Sequence, residues 1–298
     1  MKIRIGYGLG GQASVNEQES FAHVVDELER LRFDSLWVSE RLQNNTLDPM
    51  VAMTFAAART TKLKFGPAVM VLPGRNPVLL AKSIASLDRV SNGRVLPAFG
   101  LGSPQAAEFQ AFGVERADRA PWFNEALPLL RRLWSEDSVT HHGERFQLDD
   151  VRVLPKPVQD PIEVWLGGAA KSELRRCGRL GDGWMPSFCT PEIAAEGMVV
   201  VNQTAAEAER EIDDEHFGVL LPYVHGEVPD RMKALAQARQ PEADIDDILA
   251  TSVDKLHELI DRFVDKGFSK FIVFAVDEPK QWTEELEEVA DRLLPLQN

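Results

Sequence analysis

The sequence has few cysteines and no long apolar run. Cys177 and Cys189 are separated by eleven residues, a spacing that fits neither a zinc motif nor a redox pair. We therefore expect two buried free thiols in a reducing cytoplasm. No apolar stretch is long enough for a membrane-spanning helix, and residues 1–5 begin a strand where a signal peptide would need a longer apolar region. No set of histidines has the spacing of metal ligands, so we expect no metal site.

Basic residues are also scarce relative to acidic ones. The 33 lysines and arginines face 47 aspartates and glutamates, which gives a formal net charge of −14 and a pI near 5.0. Such an excess of negative charge repels nucleic acids and anionic membrane surfaces, so neither is expected as a partner. An anionic cofactor would need a local pocket that is rich in hydrogen-bond donors.

What the sequence does contain is a regular alternation of short apolar runs and one-sided helices. Eight such runs are each followed by helical spacing, with no linker composition between them. The pattern predicts an α/β fold, namely a (β/α)8 barrel in one domain over residues 1–298. An open doubly wound sheet is disfavoured, because the chain has no Gly-x-Gly fingerprint after the first strand. Residues 103–120 predict a long loop after the fourth strand. Residues 139–154 predict a β-hairpin inserted before the fifth.

The central unit, residues 163–187, combines two strands with the helix between them. An apolar run ends at Gly167 and Gly168, and a helix follows from about Ala170 to Leu180. Paired glycines let the backbone approach a ligand, and the free N–H groups of a first helical turn face an anion, most often phosphate. The same pattern also fits a turn that needs glycine only for its backbone conformation.

Six segments in this order resemble one family. Together they are similar to the bacterial luciferase-like superfamily, and most closely to its deazaflavin (coenzyme F420)-dependent oxidoreductases. The resemblance is dense over residues 1–190 and looser beyond. It implies a luciferase-like barrel with the cofactor across its C-terminal mouth, and a possible homodimer. The segments are FDSLWVSE (33–40), LPGRNPVLLAK (72–82), LDRVSNGRV (87–95), LWSED (133–137), LPKPVQ (154–159) and RLGDGW (179–184).

The resemblance also implies where the cofactor lies. Its phosphate end is expected against the turn after the fifth strand, and its central ring against a bulge at the end of the third. In this family the bulge contains a non-prolyl cis peptide, which here would join Ala68 and Val69, unless Pro67 replaces it with an ordinary prolyl irregularity. The cofactor-lining residues implied in this way are Ala68, Val69, Val71, Gly100, Gly167, Gly168, Ala169 and Ala170.

The acidic residue that ends the second strand is the predicted catalytic residue. Members of the family that carry Ser-Asp-His keep these groups near the ring and substrate, and here the triplet is Ser39-Glu40-Arg41. Arg41 stands where a histidine often relays the proton. A carboxylate whose pKa is raised by burial can accept a ring N–H or move a proton, which is the role predicted for Glu40. The alternative is a solvated ion pair between Glu40 and Arg41 on a loop.

Four residues are predicted to line the substrate. Members that oxidise sugar phosphates carry a glutamate where this chain has Ser103, and a lysine where it has Thr190. Glucose 6-phosphate is therefore disfavoured as the substrate. Ser187 matches a threonine of those members, and His225 follows the seventh strand. The predicted substrate-lining residues are Arg41, Ser103, Ser187 and His225.

Three functions follow from the resemblance. The first is an F420-dependent oxidoreductase that moves a hydride between C5 of the deazaflavin and a small organic substrate. The second is an FMN-dependent luciferase-like monooxygenase, because both classes use the same barrel mouth. The third is a cofactor-binding protein without catalysis, because the histidine after Glu40 and the glutamate at position 103 are missing. A Schiff-base aldolase would need a strand-end lysine, and Lys270 before the eighth strand is a poor candidate.

Overall fold

The computed structural model describes residues 1–10, 12, 14–103 and 105–298. Short strands alternate with helices along this chain, as the sequence predicts. The strands are β1 (Arg4–Leu9), β2 (Ser35–Val38), β3 (Lys64–Pro67), β4 (Met70–Val71), β5 (Ala98–Gly100), β6 (Val139–His142), β7 (Gln147–Val151), β8 (Trp165–Leu166), β9 (Gly183–Trp184), β10 (Gly218–Tyr223) and β11 (Lys270–Ala275).

These strands form a closed ring of parallel neighbours. One sheet has the order β10-β11-β1-β2-β3 and the other the order β4-β5-β8-β9. Three parallel bridges join the two sheets, and they pair Phe65 with Val95, Trp184 with Phe217, and Ser187 with Leu220. Because β3 and β4 share one position, the ring has eight positions, and the predicted (β/α)8 barrel is confirmed. The hairpin of β6 and β7 lies outside the ring, also as predicted.

Helices cover the ring from outside, and proline at the first helical position opens several of them. Asp48 and Asn76 cap the helices that begin at Pro49 and Pro77, and each accepts a backbone N–H with its side chain. The helices are α1 (Gln18–Leu31), α2 (Pro49–Arg59), α3 (Pro77–Ser91), α4 (Ala106–Ala111), α5 (Arg119–Ser135), α6 (Lys171–Leu180), α7 (Pro191–Glu207), α8 (Asp230–Arg239), α9 (Val253–Asp265) and α10 (Trp282–Leu293), with 3-10 turns at Ser14–Asn16, Asp214–His216, Ile245–Asp247 and Leu294–Leu296.

Two element predictions differ from the structure. The sequence predicts one continuous third strand over residues 63–72, but the structure divides it into β3 and β4, because the pairing partner changes from β2 to β5. The predicted loop over residues 103–120 contains α4, so the prediction of an irregular segment is wrong there. Pro104 of that loop lies outside the described residues. Six residues are fewer than two helical turns, which is too short for apolar spacing to reveal a helix.

The barrel interior and the layer under the helices are two separate apolar cores. The interior cluster is small, and it consists of Trp37, Ala98, Trp165, Met185 and Ile272. The larger cluster packs the outer faces of the strands against the helices, and Cys177 lies within it. Cys177 and Cys189 are both buried, as predicted, and burial raises the pKa of the Cys189 thiol to about 12.

A buried group of charges lies at the N-terminal end of the barrel. Asp34 accepts from the ammonium groups of Lys270 at 2.9 Å and Lys64 at 3.0 Å, and Arg4 lies 3.6 Å away. Burial alone would raise the pKa of Asp34, but the charges of Lys270 and Lys64 outweigh it and hold the pKa well below its usual range. Asp34 therefore stabilises the fold in its ionised form.

We expect Asp34→Asn to lower the free energy of unfolding by about 3 kcal/mol at pH 7, because it leaves the buried Lys270 without its counterion. The stabilisation by Asp34 is present above the ordinary aspartate pKa of 3.8 and is lost as the pH falls below it. Urea unfolding of both proteins between pH 3 and pH 8 measures the difference. The matched control is Asp26→Asn, since Asp26 pairs with Arg59 at the exposed surface. An equal effect of the two substitutions would contradict the prediction.

Candidate functional site

The ends of three barrel strands meet at a bulge in the C-terminal mouth. The peptide bond between Ala68 and Val69 is cis, as the resemblance predicts, and the irregularity is not at Pro67. The methyl groups of Val69 fill the space beside two glycines. A Cβ at Gly100 would lie 2.7 Å from one of them, and a Cβ at Gly167 would lie 3.3 Å from the other. Ala68, Val69 and the two glycines are half-buried, so this part of the mouth is partly open to solvent.

Glu40 joins the second strand to the exit of this bulge. Its side chain is buried, and its Oε2 accepts from the backbone N–H of Val71 at 2.6 Å. Arg75 donates to Oε1 of Glu40, and the Nε of Arg75 donates to the carbonyl of Val71 at 2.9 Å. The alternative of a solvated pair with Arg41 is wrong, because the partner of Glu40 is Arg75 and Arg41 is exposed.

The environment of Glu40 makes its carboxyl group harder to ionise than a solvated glutamate. Burial raises the pKa of the Glu40 carboxyl above its ordinary value of 4.5, although the charge of Arg75 and the N–H of Val71 oppose the shift. A raised pKa is a common property of carboxyl groups that transfer protons in active sites. Glu40 therefore has the chemistry that the sequence prediction requires, and its catalytic role stays a prediction.

The turn after β8 already binds an oxyanion of the protein itself. Gly168 has a φ of +105°, and the N–H groups of Ala169 and Ala170 both donate to Oε2 of Glu173 at 3.0 Å. The indole N–H of Trp184 holds the carbonyl of Gly168 at 2.9 Å. Sequence reasoning missed Glu173. A glutamate at the third position of a helix commonly reaches back to the N–H groups before it, so the spacing contained that signal.

Arg119 fixes the segment after β5. Its guanidinium donates to the carbonyls of Leu101, Gly102 and Ser103, at 3.2, 3.3 and 2.7 Å. Ser103 is thereby held beside Val71 in a cleft that Phe112 also lines. No local pattern marks Arg119, which is remote in sequence from the carbonyls that it binds, and it was not predicted.

Ser187 lies at another edge of the mouth with an arginine from α8. The guanidinium of Arg239 packs over the ring of Phe188 at 5.2 Å and donates to Oγ of Ser187 at 3.3 Å. His225 has different surroundings. Its Nε2 lies 3.0 Å from both carboxylate oxygens of Glu285 on α10. No contact joins His225 to Ser187 or to the bulge in the part of the chain described, and its substrate-lining role stays a prediction.

Within residues 1–10, 12, 14–103 and 105–298, no group of three or more His, Cys, Asp or Glu side chains has an arrangement that would hold a metal ion. Among the helices of the same residues, none combines the length and the apolar character needed to cross a membrane. The remaining candidate is the bulge with the neighbouring turn, where two backbone N–H groups hold a carboxylate oxygen.

Comparisons with known proteins agree with this geometry. Residues 3–294 match the luciferase-like monooxygenase family, and the chain belongs to that family. An F420-dependent glucose-6-phosphate dehydrogenase of Kineococcus radiotolerans is 29% identical over 215 residues, which is 68% of this chain and 61% of that protein. The chain spans about half to two thirds of the length of the curated relatives that it matches, from 50% to 66%.

Solved structures share the fold across the whole chain. Monooxygenase RslO1 of Streptomyces bottropensis superimposes with a TM-score of 0.81 at 21% identity, and the match covers 98% of this chain and 99% of that one. An F420-dependent secondary alcohol dehydrogenase gives a TM-score of 0.80 at 20% identity over 100% of both chains. At these identities the likeness establishes the luciferase-like barrel alone.

We expect the stability of the wild type relative to Glu40→Gln to decrease as the pH rises above 4.5. Between the ordinary and the raised pKa, the folded protein holds a proton on Glu40 that the unfolded chain has released, so unfolding becomes easier. Urea unfolding of both proteins from pH 4 to pH 8 measures the difference. Arg75→Met should extend this loss of stability to higher pH, because it removes the cation that opposes the rise in the pKa of Glu40. A difference that increases with pH would show that Arg75 instead lowers the pKa of Glu40.

Proposed function

We propose that the protein is an F420-dependent oxidoreductase that transfers a hydride between C5 of the deazaflavin and a small organic substrate. One observation carries the proposal. Val69, packed against Gly100 and Gly167, lies next to a turn whose N–H groups, at Ala169 and Ala170, hold a carboxylate oxygen. A planar ring with a phosphate at the end of its side chain needs an apolar support beside an anion site.

The relatives favour the deazaflavin over FMN. Matches by sequence include F420-dependent glucose-6-phosphate dehydrogenases from two bacteria. The solved structures include both F420-dependent enzymes and monooxygenases, so an FMN-dependent monooxygenase is the second candidate. A cofactor-binding protein without catalysis is the third, and turnover measurements separate it from the other two.

The residues present fit the proposed cofactor. Ala68, Val69 and Val71 would support the ring from behind, and Gly100 and Gly167 leave room for the Val69 side chain in that position. The N–H groups of Ala169 and Ala170, beside Gly168, would hold the phosphate. The cofactor supplies the hydride chemistry, while the chain orients the two reactants and excludes water.

The chain would also supply a proton and a place for the substrate. Glu40 is buried beside Val71, and its raised pKa suits a carboxyl group that gives a proton to a developing alkoxide or takes one from an alcohol. Arg41, Ser103, Ser187 and His225 follow four different strands and are proposed to line the substrate. The homodimer also stays a prediction, and Val51 and Leu79, which are exposed on α2 and α3, would be available to such a contact.

A titration tests the choice of cofactor. Trp37 and Trp165 lie in the barrel interior close to the bulge, so their fluorescence should be quenched when a ring binds there. We expect coenzyme F420 to bind more tightly than FMN. Preference for FMN would favour the monooxygenase, and oxygen uptake would then be measured. Binding of neither would contradict the proposal.

The contacts of Val69 with Gly100 and Gly167 predict that a methyl group added at either glycine weakens deazaflavin binding to a different degree. Gly100→Ala would place a Cβ 2.7 Å from Val69 and force that side chain to move, whereas Gly167→Ala leaves 3.3 Å. We expect deazaflavin affinity to fall by about tenfold or more in Gly100→Ala and by less in Gly167→Ala. Urea midpoints check that both variants fold. Unchanged affinity in Gly100→Ala would place the ring elsewhere.

The proton role of Glu40 predicts a separation of binding from turnover. In Glu40→Gln we expect kcat to fall by about a hundredfold or more, because the amide cannot exchange a proton. Deazaflavin affinity should stay close to that of the wild type, because the amide oxygen can still accept from Val71. The matched control is Glu108→Gln, since Glu108 is also buried and accepts backbone N–H groups, from Leu42 and Gln43. Equal turnover in Glu40→Gln and wild type would remove the proton role.

A further inference from the structure

The N–H groups proposed to hold the cofactor's phosphate already have a partner. Oε2 of Glu173 accepts from both Ala169 and Ala170 at 3.0 Å. The carboxylate also fills the turn, because a Cβ at Gly168 would lie 2.6 Å from the same oxygen. A phosphate oxygen and the Glu173 carboxylate therefore cannot hold these two N–H groups at the same time.

We propose that Glu173 is a built-in competitor for the phosphate, displaced when the cofactor binds, and that its charge sets the affinity for phosphate-bearing cofactors. The inference rests on the proposed function and adds a specificity-determining residue to it. Both occupants are oxyanions that make charge-assisted hydrogen bonds to the same donors. If the carboxylate stayed beside the phosphate, the two like charges would repel each other.

The surroundings of Glu173 allow the exchange. Ala169 and Ala170 are exposed and Glu173 is half-buried, so a ligand can reach the turn from solution. Arg176 lies three residues further along α6, on the same helix face, where its buried guanidinium donates from Nε to Oδ1 of Asn124 at 2.9 Å. The positive charge of Arg176 would still act on the carboxylate after it moves.

Three arginines surround this exchange. Burial lowers the pKa values of Arg119, Arg176 and Arg239, and in each case the charge of Glu173 opposes the shift. These cations come from α5, α6 and α8, and Glu173 therefore lies within the reach of all three charges. An incoming phosphate would meet the same positive charges, in a chain whose net charge is −14.

The test compares cofactors with and without a phosphate. Wild type and Glu173→Gln are titrated with FMN and riboflavin, and with coenzyme F420 and its phosphate-free deazaflavin chromophore, each by tryptophan quenching. Glutamine keeps the shape of the side chain and removes its charge. The control variant is Glu284→Gln, which removes one charge from an exposed position in the first turn of α10.

We expect Glu173→Gln to bind FMN and F420 about tenfold more tightly than wild type, a change equivalent to about 1.4 kcal/mol. The affinity for the two phosphate-free compounds should stay within about twofold, because the ring surface is unchanged. Weaker binding of the phosphate-bearing cofactors in Glu173→Gln would overturn the inference. Equal gains for both kinds of compound, or an equal gain in Glu284→Gln, would overturn it as well.

A second measurement separates this inference from the proposed function. Inorganic phosphate is titrated into wild-type and Glu173→Gln protein labelled with 15N-alanine, and the amide signals of Ala169 and Ala170 are followed by NMR. If these two signals reach half of their shift at a lower phosphate concentration in Glu173→Gln than in wild type, the competition is supported. This holds even if no flavin or deazaflavin binds and the proposed function fails. Equal phosphate concentrations at half of the shift, or no response of these signals in either protein, would overturn the competition. The proposed function would then still be tested by the titration with F420.

Discussion

Glu40 supplies a hydrogen-bond acceptor where the backbone of the barrel has none. β3 pairs with β2, and after the bulge β4 pairs with β5 instead. The second strand has ended by that point, so the N–H of Val71 finds the carboxylate of Glu40 in place of a backbone carbonyl. A buried N–H without an acceptor would be costly. The change of pairing from β2 to β5 creates the bulge and brings Val69 against the glycines. This change therefore depends on Glu40, which continues the second strand.

Four other carboxylates in the described residues accept backbone N–H groups at turns or strand ends in the same way. Glu173 serves the turn after β8, and Glu108 accepts from residues 42 and 43. Glu29 accepts from residues 61–63, and Asp88 accepts from residues 158 and 159. The acidic excess of the chain is thus partly structural, because ionised carboxylates make stronger hydrogen bonds than neutral acceptors. Where such a turn also opens to solvent, a ligand oxyanion can compete for the same donors.

The sequence predicted what is periodic or local, and missed contacts between remote segments. Alternating apolar runs were enough for the barrel order, because each βα unit repeats the same pattern. The cis bond between Ala68 and Val69 was found through the resemblance alone, since no local spacing marks it. The pairing of Arg75 with Glu40 and the contacts of Arg119 were missed because they join segments remote in sequence, 35 residues apart for Arg75 and Glu40 and at least 16 residues apart for Arg119 and its carbonyls. His225 was assigned by its place after a strand, but the bond to Glu285 depends on how the last helix returns to the barrel.

Charged side chains have different roles at the two ends of the barrel. At the N-terminal end, Asp34 lies between the lysines that begin β3 and β11, and each charge has an opposite charge beside it. These paired charges stabilise the fold, as is usual for the bottom face of such barrels. At the mouth, Glu173 accepts from two backbone N–H groups, and Glu40 accepts from the N–H of Val71 as well as from Arg75. Backbone N–H groups carry only partial charges and can take another acceptor. We therefore expect substitutions at the bottom to act on unfolding, whereas substitutions at the mouth should act on ligands as well.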